Sequence, residues 1–363
     1  MIRHKKRITT GFAIFILGII SVSLFLSDSY EHMPTKQPTH VETDSSNDAP
    51  LIITETYQPS EFSTPYPIEQ NVVNYSTQPA STVTASISVP TQVPLSQSTQ
   101  KPTMPTITPA LISINGVTSQ EFVVMPYTIV NNACDIYTHG QYLGRDPNHF
   151  SILGDSEVAT SHFLTHFETD SYDLAEYSQL QNVIDHFRGS FGRQSVAVRK
   201  GLNSSAVLDP MWANKELCQA NETMLSCEFR LHNPAVLLII LGTNDWTEVF
   251  EENIVEIVSF SIENGVIPVL VTKSNRVDGY NSPRNQILRQ VAIDYQIPLW
   301  DYDLIADTLP DRGLDIDGVH MLIFPENDYA LAQALQSGYG TYNLSAIVLL
   351  DLVWRNVIMT GCN

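Results

Sequence analysis

Three short phrases in this 363-residue chain hold side chains suited to acyl chemistry: Gly154-Asp155-Ser156-Glu157, Gly242-Thr243-Asn244-Asp245 and Asp315-Ile316-Asp317-Gly318-Val319-His320. A serine hydroxyl is a poor nucleophile until an imidazole removes its proton. A carboxylate must then fix the imidazole tautomer and stabilise its cation. Asp317 and His320 are close enough in the chain to meet on one turn. The oxyanion that develops on an attacked carbonyl needs donors aimed at it, from backbone N–H groups and a side-chain amide such as that of Asn244. Each phrase also has a plainer use. Gly-Asp-Ser and Asn244 suit helix caps, Asp317-Gly318 is a good turn, and a single histidine more often supports structure than chemistry. Their joint occurrence, each at the exit of a predicted strand, favours a site.

The elements that must position them alternate along the chain. Strands are predicted at 150–153, 195–198, 236–241, 267–272 and 297–300, and helices at 158–167, about 174–187, 248–263 and 284–295. Residues 235–241 and 266–271 are continuous apolar runs, the pattern of strands buried on both faces of a parallel sheet. Right-handed β-α-β crossovers then give an α/β fold, a three-layer α/β/α sandwich whose functional groups lie beyond the strand C-termini. A lead-in over 126–147 is expected to pack a short helix beside the sheet. Residues 202–233, with sequons at Asn203 and Asn221, read as a surface insertion. Residues 346–355 read as a packed helix, because Asp351 and Arg355 interrupt any membrane span there.

The three blocks resemble those of the SGNH/GDSL hydrolases, a superfamily of lipase- and esterase-like enzymes with a flavodoxin-like, mainly parallel five-stranded sheet. The resemblance covers about residues 148–325. It implies Ser156 as nucleophile, His320 as general base and then acid, and Asp317 as the orienting carboxylate. It also implies an oxyanion hole formed by the Ser156 N–H, the Asn244 side chain and a loop N–H. Gly154, Asp155, Gly201, Gly242 and Asp245 would support these groups. The family's Gly-x-x-Gly phrase becomes Gly201-Leu202-Asn203-Ser204 here, so Ser204 is expected to supply the loop N–H. Glu157 also departs from the pattern, and a carboxylate beside the hole would oppose the oxyanion unless it pointed away. Trp246, Asn275 and Arg276, on neighbouring strand-exit loops, are candidates for substrate contact. The chain has no Gly-x-Ser-x-Gly elbow, which disfavours an α/β-hydrolase-fold lipase.

The rest of the chain bounds the setting. Arg3, Lys5, Lys6 and Arg7 precede an uncharged stretch, 8–27, long enough for a single-pass signal-anchor with the remainder outside the cytoplasm. A cleaved signal peptide is the competing reading. Residues 28–110 contain 12 of the chain's 21 prolines and no glycine, and read as an extended, disordered stalk. Residues 111–363 read as the hydrolase domain, with 13 Lys and Arg against 31 Asp and Glu, a net charge of −18. That balance disfavours nucleic acid and anionic membrane surface as partners. The four cysteines all fall in this domain and suggest the disulfides Cys218–Cys227 and Cys134–Cys362. Their spacing fits no zinc pattern, and neither metal nor cofactor is expected. The leading expectation is a membrane-anchored extracytoplasmic serine esterase acting on carboxylic esters, including O-acetyl groups on carbohydrate. A binding or adhesion module with decayed catalysis and an O-acyltransferase are the alternatives.

Overall fold

The two continuous apolar runs form the middle of the sheet, where every residue of both strands is buried. The computed structural model describes residues 111–362. Its main sheet contains β1 (Val123–Val124), β2 (Asp146–Gly154), β3 (Pro234–Ile240), β4 (Ile267–Val271) and β5 (Leu299–Trp300). The spatial order is β1-β5-β4-β3-β2, parallel throughout except for the edge pair β1–β5. Leu153 faces Ile239 and Leu238 faces Val269, so β2, β3 and β4 deliver their C-terminal ends to one edge.

Helices cover both faces. One carries α2 (Met224–His232), α3 (Thr247–Glu263) and α4 (Pro283–Asp294), while α1 (Tyr127–Tyr142) packs against Trp354–Ile358 and, at Gly140, against the Gly265 turn before β4. Phe229 of α2 stacks on Phe260 of α3, and Ser151 of β2 donates to the buried Glu228 of α2. The other face carries a short helix, Gln181–His186, and α5 (Gly338–Val353). There, Phe150 packs edge-on against Phe187, and Trp300 stacks on Tyr342. Helix α5 is buried on every side except Leu352, and its polar residues Thr341, Asn343, Ser345 and Asp351 all have hydrogen-bond partners within the protein. Among the described residues no helix is long and apolar enough to cross a membrane. The expected anchor at 8–27 and stalk at 28–110 lie outside the described residues. Disulfides join Cys134 to Cys362, tying α1 to the C-terminal end, and Cys218 to Cys227 of α2, so the stretch expected as a surface insertion ends in a helix packed in the core.

Several elements differ from expectation. The strand expected at 195–198 is reduced to one parallel bridge, Val198 to Gly154. Its amides are taken by side chains: Val196 N–H donates to Glu228 and Ala197 N–H to Ser195 Oγ. The fifth strand is instead β1, two residues at the opposite edge. The helix expected at 158–167 is a run of turns ending in the short 3-10 turn Thr165–Phe167. Asn343 of α5 accepts from Leu164 N–H and donates to His162 C=O, occupying groups that a helix would pair internally. The stretch 174–187 divides into a 3-10 segment, Ala175–Leu180, and the helix Gln181–His186. The lead-in helix α1 has 16 residues and is not short.

Two buried histidines make the fold acid-sensitive. Burial lowers His166 to about 4, and burial with the nearby Arg193 and His149 lowers His232 to about 4. Both are therefore neutral in the folded state, while in the unfolded chain they titrate near 6.5. Their contribution is fully present above about pH 6.5 and is lost as pH falls toward about 4. Thermal unfolding followed by circular dichroism should show a steady Tm above pH 7 and a falling Tm between pH 6.5 and 4. His232→Gln should flatten that slope. An unchanged slope would assign it to other groups.

Candidate active site

The nucleophile turn begins where β2 ends. A Cβ on Gly154 would lie 2.4 Å from Val158 Cγ2 and 3.0 Å from Ile240 O, so only glycine lets the turn fold back against β3. Asp155 then organises the backbone. Its Oδ1 accepts from Glu157 N–H, and its carbonyl accepts from Val158 and Ala159 N–H. The Ser156 N–H makes no hydrogen bond among the described residues. Ser156 itself is half-buried, with its hydroxyl at the C-terminal edge of the sheet.

Directly behind Ser156 lies a buried charge cluster. Asp155 and Glu157 are 0% exposed and Lys273, just past β4, is 3% exposed. Lys273 Nζ is 3.1 Å from Asp155 Oδ2 and 3.0 Å from Glu157 Oε2. Burial opposes the ammonium, but Asp155 and Glu157 outweigh it and raise the Lys273 pKa, so this side chain stays charged. Burial likewise raises Glu157, against the pull of Lys273. Asn275 Nδ2 donates to Glu157 Oε1 at 2.6 Å, and the Tyr339 hydroxyl of α5 donates to the Glu157 carbonyl at 2.8 Å. The Glu157 carboxylate thus faces into the protein, away from the surface on which an oxyanion would form. The backbone of Lys273 is fixed from both sides by the Asn285 amide. Lys273 belongs to none of the sequence blocks. Its signal was a lone charged residue closing an otherwise apolar strand.

The base and its carboxylate come from an exposed hairpin-like loop. Leu314 bridges Met321, and Asp315 N–H donates to His320 C=O. Arg312 holds the base of the loop, donating to Ser274 C=O and pairing with Asp303 and Asp307. Asp317 Oδ1 accepts from Val319 and His320 N–H, each at 2.9 Å, which leaves Oδ2 to meet His320 Nδ1 at 2.6 Å. His320 Nε2 lies 3.0 Å from Ser156 Oγ. The hydrogen bond from His320, with those from the two amides, lowers Asp317 to about 2. The carboxylate is therefore ionised wherever the protein is folded near neutrality. Both side chains are 47% exposed, so the site is open to bulky groups.

Gly242 has φ +130°, a backbone that a side chain would strain, and its carbonyl accepts from Arg284. This turn presents the exposed Asn244, whose Nδ2 reaches Leu202 C=O at 3.2 Å while its second amide hydrogen remains available. Ser204 is the correction. Its N–H donates to Asp245 Oδ1 at 2.6 Å, and its hydroxyl donates to the same oxygen, so this amide is not free for an oxyanion. Ser204 opens a 3-10 turn capped by Asn203, and that turn aims its first N–H at Asp245. Asp245 thus locks the 203–206 loop to the Asn244 turn. Gly201, at φ +73° and exposed, sits at the corner of that loop.

The three residues proposed for substrate contact separate. Asn275 is buried on Glu157, and Arg276 pairs with Asp303 and Asp307, so both serve the scaffold. Trp246 is 77% exposed beside Asn244. Among the described residues, the cluster with metal-ligating proximity is Cys218, Glu222 and Cys227, and its two sulfurs form the disulfide.

No family model matches the chain, and no curated protein matches it in sequence. Among solved structures it is similar to the psychrotrophic esterase EstA from a Pseudoalteromonas species, with a TM-score of 0.37 and 16% identity, covering 57% of this chain and 97% of that one. It is also similar to an alpha/beta hydrolase enzyme from the metagenome of Lake Arreo, with a TM-score of 0.35 and 13% identity over 56% of this chain and 95% of that one. A third is a GDSL-like lipase from Bacteroides thetaiotaomicron, with a TM-score of 0.33 and 14% identity over 63% of this chain and 100% of that one.

The buried cluster generates a test of its own. Lys273→Met leaves two carboxylates without their cation and should destabilise the protein by about 3–5 kcal/mol in urea unfolding. Lys273→Met/Glu157→Gln should recover part of that loss. Equal stability of the single and double variants would show that Glu157 does not depend on Lys273.

Proposed function

We propose that the folded domain is a serine ester hydrolase. The observation that carries the reading is the continuous relay from Ser156 Oγ through the His320 ring to Asp317, at 3.0 Å and 2.6 Å. His320 Nε2 takes the hydroxyl proton as Oγ attacks the ester carbonyl, and Asp317 holds Nδ1–H and stabilises the imidazolium. The tetrahedral oxyanion receives the unpaired Ser156 N–H and the Asn244 amide. Collapse transfers the proton from His320 to the leaving alcohol and leaves an acyl-serine. Water activated by the same imidazole then releases the acid.

The openness of the His320 and Asp317 side chains suits acyl groups on large alcohols, including O-acetyl groups on carbohydrate. The uncharged stretch at 8–27 and the two disulfides support a membrane-anchored domain in an oxidising, extracytoplasmic compartment. Replacement of water by an alcohol acceptor would make the same machinery an acyltransferase. The decayed-module alternative drew its support from Glu157 and Ser204, and both point into the scaffold and away from the relay.

Full-length protein in nonionic detergent should hydrolyse p-nitrophenyl acetate and take a fluorophosphonate label on Ser156, located by mass spectrometry. Ser156→Ala should abolish both, and Asp317→Asn should lower kcat by about 10²–10⁴-fold while leaving the label site intact. A folded protein with neither turnover nor label would overturn the reading.

A further inference from the structure

The domain is strongly acidic, and nine of its 13 Lys and Arg side chains pair with carboxylates. The exceptions among the described residues are Arg145, Arg199, Lys200 and Lys215. Arg145 donates to the carbonyls of Asn264 and Phe229 and to the Asn233 side chain. Lys215 donates to the Pro210 carbonyl. Arg199 and Lys200 remain: adjacent, exposed, and with no ion pair or side-chain hydrogen bond among the described residues.

Their position is not arbitrary. Gly154 N–H donates to Ala197 C=O, and Arg199 N–H donates to Gly154 C=O at 3.0 Å. This short parallel contact brings Arg199 and Lys200 level with the turn that carries Ser156. Three cavities meet there. One of about 440 Å³ is lined by Gln194, Arg199, Trp212 and Asn214. A second of about 220 Å³ shares Arg199 and Trp212 with it and adds Lys200, Gly201 and Asn203. A third of about 280 Å³ shares Gln194, Ser195 and Val198 with the first and extends beneath residues 158–161, immediately after the nucleophile turn. Shared lining residues link the three cavities, together a groove, from Trp212 as far as residues 158–161, which follow the nucleophile turn. The Arg199 guanidinium carbon lies 5.4 Å from the Trp212 ring centroid, holding the side chain across the groove.

We infer that this groove is the subsite for the alcohol part of the ester, and that its ligand is a carboxylated carbohydrate carrying the acyl group. The inference rests on the serine esterase reading. A half-exposed indole face and the amides of Gln194, Asn203 and Asn214 suit a sugar ring, with its apolar face and its hydroxyls. A guanidinium and an ammonium without partners suit carboxylates. An anionic polymer approaching a domain of net charge −18 is repelled everywhere except where unneutralised cations stand. Two cations are too few to hold that domain on an anionic lipid surface, where each adds only about 1 kcal/mol.

The test separates binding from catalysis. Full-length Ser156→Ala protein in nonionic detergent is titrated calorimetrically with oligogalacturonate and with its neutral methyl-esterified counterpart. The acidic oligomer should bind at least tenfold more tightly. Arg199→Ala/Lys200→Ala should erase that preference with an unchanged circular dichroism spectrum, whereas the charge-keeping Arg199→Lys/Lys200→Arg should retain most of it. In the active protein, the ratio of kcat/KM for O-acetylated polygalacturonate to that for acetylated xylan should fall at least tenfold in the alanine pair. Equal affinity for both oligomers, an undiminished preference in the alanine pair, or binding to phosphatidylserine vesicles in place of oligogalacturonate would overturn the inference. Selective oligogalacturonate binding with no turnover in the active protein would leave the groove standing and overturn the esterase reading. Turnover without that binding would do the reverse.

Discussion

One buried ammonium holds the site together. Lys273 emerges from the most enclosed part of the sheet and meets two carboxylates from the turn that bears Ser156. Each of these charges alone would be costly in so dry a place, and none is tolerable without the others. Their mutual requirement fixes the distance between the end of β2, from which the nucleophile turn leaves, and the end of the central strand β4. The same cluster extends to Asn275 and to the Tyr339 hydroxyl of α5. A helix on one face of the sheet is thereby tied to a turn on its rim. The serine is placed by the core.

The base is placed differently. His320 and Asp317 lie on an exposed loop whose order comes from its own short-range hydrogen bonds and from Arg312 at its root. A rigid nucleophile facing a locally closed base loop lets the outer side of the site stay open without loosening the reacting pair. Local closure suffices because Asp317 makes its own turn: one oxygen binds the backbone while the other binds the imidazole. No distant carboxylate has to be brought in.

Much of this was legible in the sequence, for physical reasons. Apolar runs such as 236–241 admit few structures other than a doubly covered strand, and helix α3 follows from its periodicity. Asp317 and His320 are neighbours in sequence, so their meeting is a local event. Two of the failures are cases in which a distant side chain decided local structure. Residues 158–164 have helical spacing, but Asn343, far along the chain, takes their backbone groups. Residues 195–198 read as a strand, but Glu228 binds an amide that a ladder would need. The charge of Lys273 at the end of an apolar strand does not by itself mark a site, because its importance lies in Asp155 and Glu157, more than a hundred residues earlier.

The two departures from the SGNH-like pattern follow the same logic. A glutamate after the nucleophile would oppose the oxyanion only if its side chain shared the oxyanion's side of the turn. Lys273 and Asn275 offer it an opposite charge and a donor on the other side, and burial there is the lower-energy arrangement. A serine at 204 loses the freedom of glycine but gains a hydroxyl, and Asp245 accepts from both its amide and that hydroxyl. Each unusual residue therefore comes with a partner that turns it inward and stiffens the frame around Ser156. Read one position at a time, Glu157 and Ser204 look like decay. Read with their partners, they are part of the scaffold, and the relay in front of them is left free of competing charge.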